Sequence, residues 1–501
     1  MLASTVLSNT LVETSDAQIG LCDAIRNEPP EDPRCHPDSE VNQGVKCGLG
    51  YYSQVCVNTT VPSAVPSTGI AVAQQTKDIL SVLTIGKDGG AYVTFKTPGA
   101  ARWTTAGVTS KGIFPIRADI AMAKQTNDIL TAVAIAKDGA LQVMWVVGTG
   151  EWNGPVPISP KGMFNPGGDV ALVKQTDNRL TAWAVGNNGW LYQAWVDGVG
   201  EWNKPVGRPI YVCCQSHLTD QNGNPLSGPF RGFDAKRYSI AADRLPNGML
   251  AVLVVDSVGQ LKMVPIIGLC NIDKCENIRD QYLKIIAFPY PVPKTLGPWK
   301  LFPVGADLAI VRHTKDTSIV LSIGNNGAMY ASQFDLAAGA TWKDPVQVSP
   351  SNLFPRGSSI AVSEHIPNVI IAFTVGNDGA IHESWTTLAG WNIKAAGVKD
   401  PGPYPPVLIT PKGLFNPGAG VAMVKFNGVL EGFVIGKDGG IYTSWLSTVD
   451  WLQPWNGPVK ITNEGLYQFF AGKPQQPQQP TQPPSQPPGG PPLQPPPEFG
   501  K

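Results

Sequence analysis

Apolar and polar positions alternate along residues 180–205, LTAWAVGNNGWLYQAWVDGVGEWNKP, in two runs at 180–185 and 190–196. Between them stands Gly186-Asn187-Asn188-Gly189. A period of two marks a strand with one buried face. Asn-Gly between two such runs predicts a β-hairpin, here with a type I′ turn whose central residues both take positive φ. The hairpin is not unique in the chain.

Its turn glycine recurs at Gly89, Gly139, Gly189, Gly259, Gly327, Gly379 and Gly439, a period near 50 with insertions. Asp or Asn precedes the glycine in six of the seven copies, and Val258 in the other. Four residues before it stands a β-branched residue (Ile85, Ile135, Val185, Val255, Ile323, Val375, Ile435). Two residues after it stands Ala91, Leu141, Leu191, Leu261, Met329, Ile381 or Ile441. A further apolar run precedes each hairpin, and its leading residue is followed by alanine every time: Ala71, Ala121, Ala171, Ala241, Ala309, Ala361, Ala422. Seven alanines in one register predict a place where seven strands converge and only a small side chain fits. A fourth segment, opened by Trp and rich in Pro, suits an outer edge strand, where a missing N–H does no harm.

Four strands per repeat, seven times over, predict an all-β fold: a seven-bladed β-propeller of four-stranded antiparallel blades. It should span 66–470, with the first strand of each blade on the axis. A parallel β-helix fits less well, because its coils are shorter and carry no antiparallel hairpin. Between blades runs a second phrase, as in Lys111-Gly112-Ile113-Phe114-Pro115, Lys161-Gly162-Met163-Phe164-Asn165-Pro166 and Lys412-Gly413-Leu414-Phe415-Asn416-Pro417. Leu301-Phe302-Pro303 and Gly465-Leu466-Tyr467 are weaker copies. These apolar-aromatic pairs are expected to plug the gaps between adjacent blades.

Composition changes the picture at the two ends. Residues 1–65 are Pro-rich, poor in apolar residues, and hold Cys22, Cys35, Cys47 and Cys56. A second group, Cys213, Cys214, Cys270 and Cys275, falls in the insertions flanking the fourth hairpin. An even number of cysteines without a CxxC pair favours disulfides over zinc, with the pairing open. The two insertions are expected to be linked to each other by disulfide. Asn58-Thr59-Thr60 is a glycosylation sequon. Together these features predict a secreted, extracellular protein with a disulfide-rich, loop-dominated N-terminal segment. Residues 471–501 are Pro/Gln-rich and predict a disordered or polyproline tail, a spacer or a tether to a cell-wall or surface partner.

Charge narrows the partners. Lys+Arg and Asp+Glu both number 38, so no electrostatic grip on nucleic acid is expected. No run is long and apolar enough for a membrane span. No GxSxG, HExxH or glycine-rich phosphate loop is present, and neither cofactor, metal nor catalytic set is predicted.

What recurs is aromatic. Six residues past the turn glycine stand Phe95, Trp145, Trp195, Trp385 and Trp445, and the outer segments bring Trp103, Trp152, Trp202, Trp342, Trp391 and Trp455. Tryptophan faces stack on the C–H faces of sugar rings, while amides and hydroxyls take the sugar hydroxyls. Gln193, Glu383 and Thr443, two residues before a tryptophan and on its strand face, are the candidate polar partners. The candidate ligand-binding set is therefore Trp145, Trp195, Trp385, Trp445, Trp152, Trp202, Gln193, Glu383 and Thr443. The same tryptophans could instead fill the widening space between diverging blades.

The repeated phrase Gly-Asn-Asn-Gly-Trp-Leu-Tyr-Gln-Ala-Trp, followed by Gly-Glu-Trp-Asn-Lys-Pro, resembles the blades of the fucose-specific-lectin superfamily. Within it the chain is most similar to seven-bladed bacterial lectins of the Photorhabdus type, and more loosely to tectonins. The resemblance covers about 66–470 and implies a multivalent propeller that binds glycans or glycoconjugates between its blades. The Arg-Glu-Trp set of the fungal fucose lectins does not repeat in this chain. The leading expectation is a secreted, non-enzymatic carbohydrate-binding propeller. A structural or protein-interaction propeller of a cell surface or wall stands second, and a polysaccharide-acting enzyme third.

Overall fold

The computed structural model describes residues 69–209, 238–256, 259–266, 294–298, 300–387, 390–391, 406–447 and 454–467. All eight cysteines, the Asn58 sequon, the insertion loops and the Pro/Gln-rich tail lie outside these residues. The disulfide, N-terminal and tail expectations therefore fall outside them too. Among the described residues no helix is long and apolar enough to cross a membrane.

The described strands form seven antiparallel sheets, one per repeat, each ordered from the first strand of the repeat to the last. These are the blades. Their innermost strands are Ile70–Thr76, Ile120–Lys124, Val170–Lys174, Ser239–Arg244, Ala309–Arg312, Ala361–Ile366 and Val421–Phe426. Neighbouring innermost strands abut around the axis, and that of blade 7 abuts that of blade 1. Second strands such as Ile79–Ile85 and Leu250–Val255 are buried throughout, because a blade packs on both sides. The outermost strands are edges and carry the prolines, as in Trp152–Pro157 and Asn456–Lys460.

The expected alanines are buried or half-buried and face the following blade. Ala71 packs with blade 2, Ala171 with blade 4, and Ala422 with blade 1. Volume at this register is thus limited by the neighbouring blade.

The hairpin turn differs from expectation. Gly186 C=O accepts from Gly189 N–H at 2.8 Å, and Gly186 N–H donates to Trp190 C=O at 2.8 Å. Gly189 has φ +74°, whereas neither Asn187 nor Asn188 has positive φ. This is a type I turn closed by a left-handed glycine bulge, not a type I′ turn. The Asp or Asn has another role: its Oδ1 accepts the N–H two residues on, as in Asp88 to Gly90, Asp138 to Ala140 and Asn188 to Trp190. In blade 4, which has Val258 there, Asp256 Oδ1 accepts the equivalent N–H of Gln260 at 3.0 Å.

A second covariation explains the glycine that opens the turn. A Cβ on Gly186 would lie 2.5 Å from the Tyr192 ring, and one on Gly436 would lie 2.4 Å from Tyr442. Where the residue six positions on is not aromatic, the glycine is released. Blade 2 has Ala136 with Gln142, and blade 4 has Asp256 with Lys262, whose ammonium lies 3.3 Å from the buried carboxylate.

The phrase between blades docks at both ends. Phe164 N–H donates to Gly139 C=O of blade 2, while Met163 C=O accepts from Asn187 of blade 3. The Phe164 ring then meets Tyr192 edge-on at 5.7 Å. The weak copy does the same at the seam: Tyr467 N–H reaches Gly439 of blade 7, and Leu466 C=O accepts from Lys87 of blade 1 at 3.1 Å. It closes the ring.

Candidate functional site

Three blade interfaces bring together a third-strand side chain of one blade and the outer tryptophan of the next. Phe95 and Trp152 pack on one apolar cluster between blades 1 and 2, Trp145 and Trp202 on another between blades 2 and 3. Trp385 and Trp455 share a third, between blades 6 and 7. The asparagine after the outer tryptophan helps fix this approach. Asn203 N–H donates to Trp195 C=O at 3.0 Å, and its Oδ1 accepts from Trp195 N–H. The two aromatic series that the sequence set apart by position are neighbours in space.

The candidate polar residues mark out three interfaces. Gln193, Glu383 and Thr443 pair across the strands with Trp183, Phe373 and Phe433. Sequence reasoning missed these three aromatics, all fully or almost fully buried. Their signal was present: each stands six residues before its turn glycine, in the blades that carry the polar residue. The other four blades have Leu83, Val133, Leu253 and Leu321 at that place. The clefts 3/4, 6/7 and 7/1 therefore combine an aromatic base, a polar group and a tryptophan two residues further out.

Their polar groups are in different states. Glu383 Oε2 accepts the indole N–H of Trp455 at 2.8 Å, and Trp455 leans on Phe373 with centroids 4.5 Å apart. Burial pushes the Glu383 carboxyl up to about 7, only partly offset by that hydrogen bond. In cleft 7/1 the Thr443 hydroxyl lies 2.9 Å from Glu431 Oε1, and Trp103 meets Phe433 edge-on at 5.7 Å. Burial raises the Glu431 carboxyl as well, against the Thr443 hydrogen bond. In cleft 3/4, Gln193 is 7% exposed and its Oε1 has no hydrogen-bond partner among the described residues. Beneath it the Trp183 indole N–H is likewise unpartnered among the described residues.

Trp195, half-buried, is held from one side. The Arg179 guanidinium lies 5.2 Å from its ring centroid and forks onto Asp197 through Nε and Nη2 at 2.7 and 2.6 Å. That fork holds Asp197 below the usual carboxylate range. A rigid aromatic, a fixed cation and an acceptor with unused capacity stand together on the face that blade 3 turns toward blade 4. Cleft 2/3 has the tryptophan pair, but Val143 replaces the polar group. Among the described residues no group of His, Cys, Asp and Glu could hold a metal ion.

This is a seven-bladed propeller whose aromatic-lined clefts lie between blades. Over 79% of its length the chain is similar to the BP39L lectin from Burkholderia pseudomallei, covering 99% of that chain at 28% identity with a TM-score of 0.64. The lectin-propeller resemblance read from the repeat is thereby shown. The SapL1 lectin, solved with alpha methyl fucoside, matches at 16% identity over 71% of this chain and 99% of its own, TM-score 0.41. A fucose-binding lectin of Aleuria aurantia, a six-bladed propeller, matches at 13% identity over 67% of this chain and 100% of its own, TM-score 0.39. No protein-family model and no curated protein matches the chain.

Proposed function

We propose that this chain is a secreted, non-enzymatic, carbohydrate-binding propeller whose sugar sites lie between blades. The observation that carries the reading is cleft 3/4: an unspent acceptor, Gln193 Oε1, stands two residues from the half-buried Trp195. Oε1 is itself shielded from solvent, so the Gln193 amide must turn outward to meet a ligand; a sugar hydroxyl would then satisfy that acceptor while the ring's C–H face rests on the indole. The similarity to a Burkholderia lectin over nearly all of that lectin's length supports the same class. Trp145 with Trp202, Trp385 and Trp445 supply further, weaker platforms, so binding to a dense glycan surface gains from avidity.

A glycan array tests this. The wild-type chain should bind, and Trp195→Ala should lose most of the signal while the protein stays folded, with Trp445→Ala losing less. A folded protein silent across a broad array contradicts the proposal.

One observation favours the second reading, a protein-interaction propeller. Val156, Val206, Val346, Val407 and Val459 occupy equivalent outer-strand positions and are 43–64% exposed. A partner protein retained in the presence of excess free sugar would support it.

A further inference from the structure

The residue immediately before the apolar residue that leads each innermost run (Ile70, Ile120, Val170, Ile240, Leu308, Ile360, Val421) forms a series that the sugar clefts do not use: Gly69, Asp119, Asp169, Ser239, Asp307, Ser359 and Gly420. Where it has a side chain, that side chain mostly reaches the backbone of a following blade. Asp119 Oδ2 accepts from Val170 N–H at 3.0 Å, Asp169 Oδ2 from Ile240 N–H at 2.9 Å, and Asp307 Oδ2 from Ile360 N–H at 3.1 Å. Ser359 Oγ takes the corresponding N–H of Val421 at 3.3 Å. These are latches across interfaces 2/3, 3/4, 5/6 and 6/7. At the seam the series reads glycine, and a Cβ on Gly69 would lie 2.7 Å from Ala118 C=O.

Two of the latches collide. The single N–H of Val170 is shared by Asp119 Oδ2 at 3.0 Å and Asp169 Oδ1 at 3.1 Å. Two carboxylate oxygens gathered at one donor repel unless a proton lies between them. We propose that Asp169 carries a proton that it donates to Asp119, and that this shared proton makes closure of the propeller ring pH-dependent.

The surroundings agree. Asp169 is half-buried, and burial, followed by the charges of Asp119 and Asp307, raises its carboxyl well above the usual range. Burial and Asp119 also push Asp307 up to about 6, against hydrogen bonds from Ile360, Ser359 and Leu308. The segment before blade 2 adds one cation, Arg117, whose guanidinium burial pulls its own proton affinity down. A carboxyl whose folded-state value is raised stabilises the fold below its ordinary range, and that stability is lost as pH rises through the raised value. The ring is therefore tightest in acid and loosens as pH rises from about 4 through the raised value.

Amide hydrogen exchange on the full chain reads this directly. After correction for intrinsic base catalysis, protection of Val170 and Ile240 should fall by up to about tenfold per pH unit from about pH 4 until the raised carboxyl has ionised, while Ile70, at the glycine seam, stays level. Asp169→Asn, which keeps an acceptor and removes the titration, should abolish most of that slope. Asp119→Asn provides the same test should the first variant fail to fold. Flat protection at Val170 and Ile240 in the wild type overturns the proposal, as does an unchanged slope in the folded variants.

Discussion

Clefts 3/4 and 6/7 share one register and reach opposite ends. Both set an aromatic second-strand residue under a polar third-strand residue, with a tryptophan two positions on. In cleft 6/7 the next blade sends in Trp455, whose indole N–H consumes the Glu383 carboxylate and whose ring covers Phe373. In cleft 3/4 the Gln193 acceptor is unspent, and Trp195 is braced by its own blade through Arg179. On the proposed reading, the polar position serves packing in one interface and recognition in the other. What decides between them is whether the protein has already supplied the partner.

Substitutions sharpen this contrast, beginning with the largest effect. Trp455→Ala removes a packed ring and leaves a carboxylate without its donor, so it should cost about 3–5 kcal/mol in urea unfolding. Trp195→Ala should cost about 1 kcal/mol, because that ring is half-exposed and its stacking partner keeps its fork onto Asp197 when the ring is lost. Equal costs would erase the distinction between the two clefts.

Glu383→Gln comes next and is read against pH. The folded-state carboxyl at about 7 lies above its ordinary range, so the wild type gains stability in acid and loses it as pH rises through about 7. The glutamine variant lacks that loss and should unfold at a higher temperature than wild type at pH 8.5. Near pH 5 the two should converge. A variant less stable than wild type at both pH values would show that the charged form is the one the fold prefers.

Gln193→Leu is the sharper test because its two effects oppose. Replacing an unpartnered buried acceptor by an apolar group of similar size should leave stability unchanged or raise it by up to about 1 kcal/mol. Glycan affinity should fall by about tenfold, the value of one hydrogen bond of about 1.4 kcal/mol. The smallest effect belongs to Arg179→Met: Asp197 is exposed to solvent and methionine keeps an apolar stem under the fork, so the loss should stay below about 1 kcal/mol in chemical denaturation. It should change Trp195 fluorescence more than stability.

The blades were legible in the sequence because turn glycine, β-branched residue and alanine each answer to local geometry repeated seven times. The turn type was not, since Asn-Gly serves both a type I′ turn and a type I turn with a glycine bulge, and only φ separates them. Candidate residues Trp145 and Trp202 were named from position and pack on one apolar cluster, because third and outer strands recur in fixed order. That Trp455 would reach Glu383, 72 residues away, depends on how two blades lean together, which no single repeat encodes. The axial aspartates escaped notice for another reason. Their register alternates with Gly and Ser, and their meaning emerges only when neighbouring blades share one N–H.

The central claim is that a sugar ring occupies the blade 3 face of cleft 3/4. Crystals of the full chain soaked in mixed monosaccharides test it most directly. The account predicts density for a sugar ring on the Trp195 indole, with a hydroxyl within hydrogen-bonding distance of Gln193 Oε1. A well-ordered cleft that stays empty at saturating sugar, or sugar bound only away from Trp195 and Gln193, would contradict it.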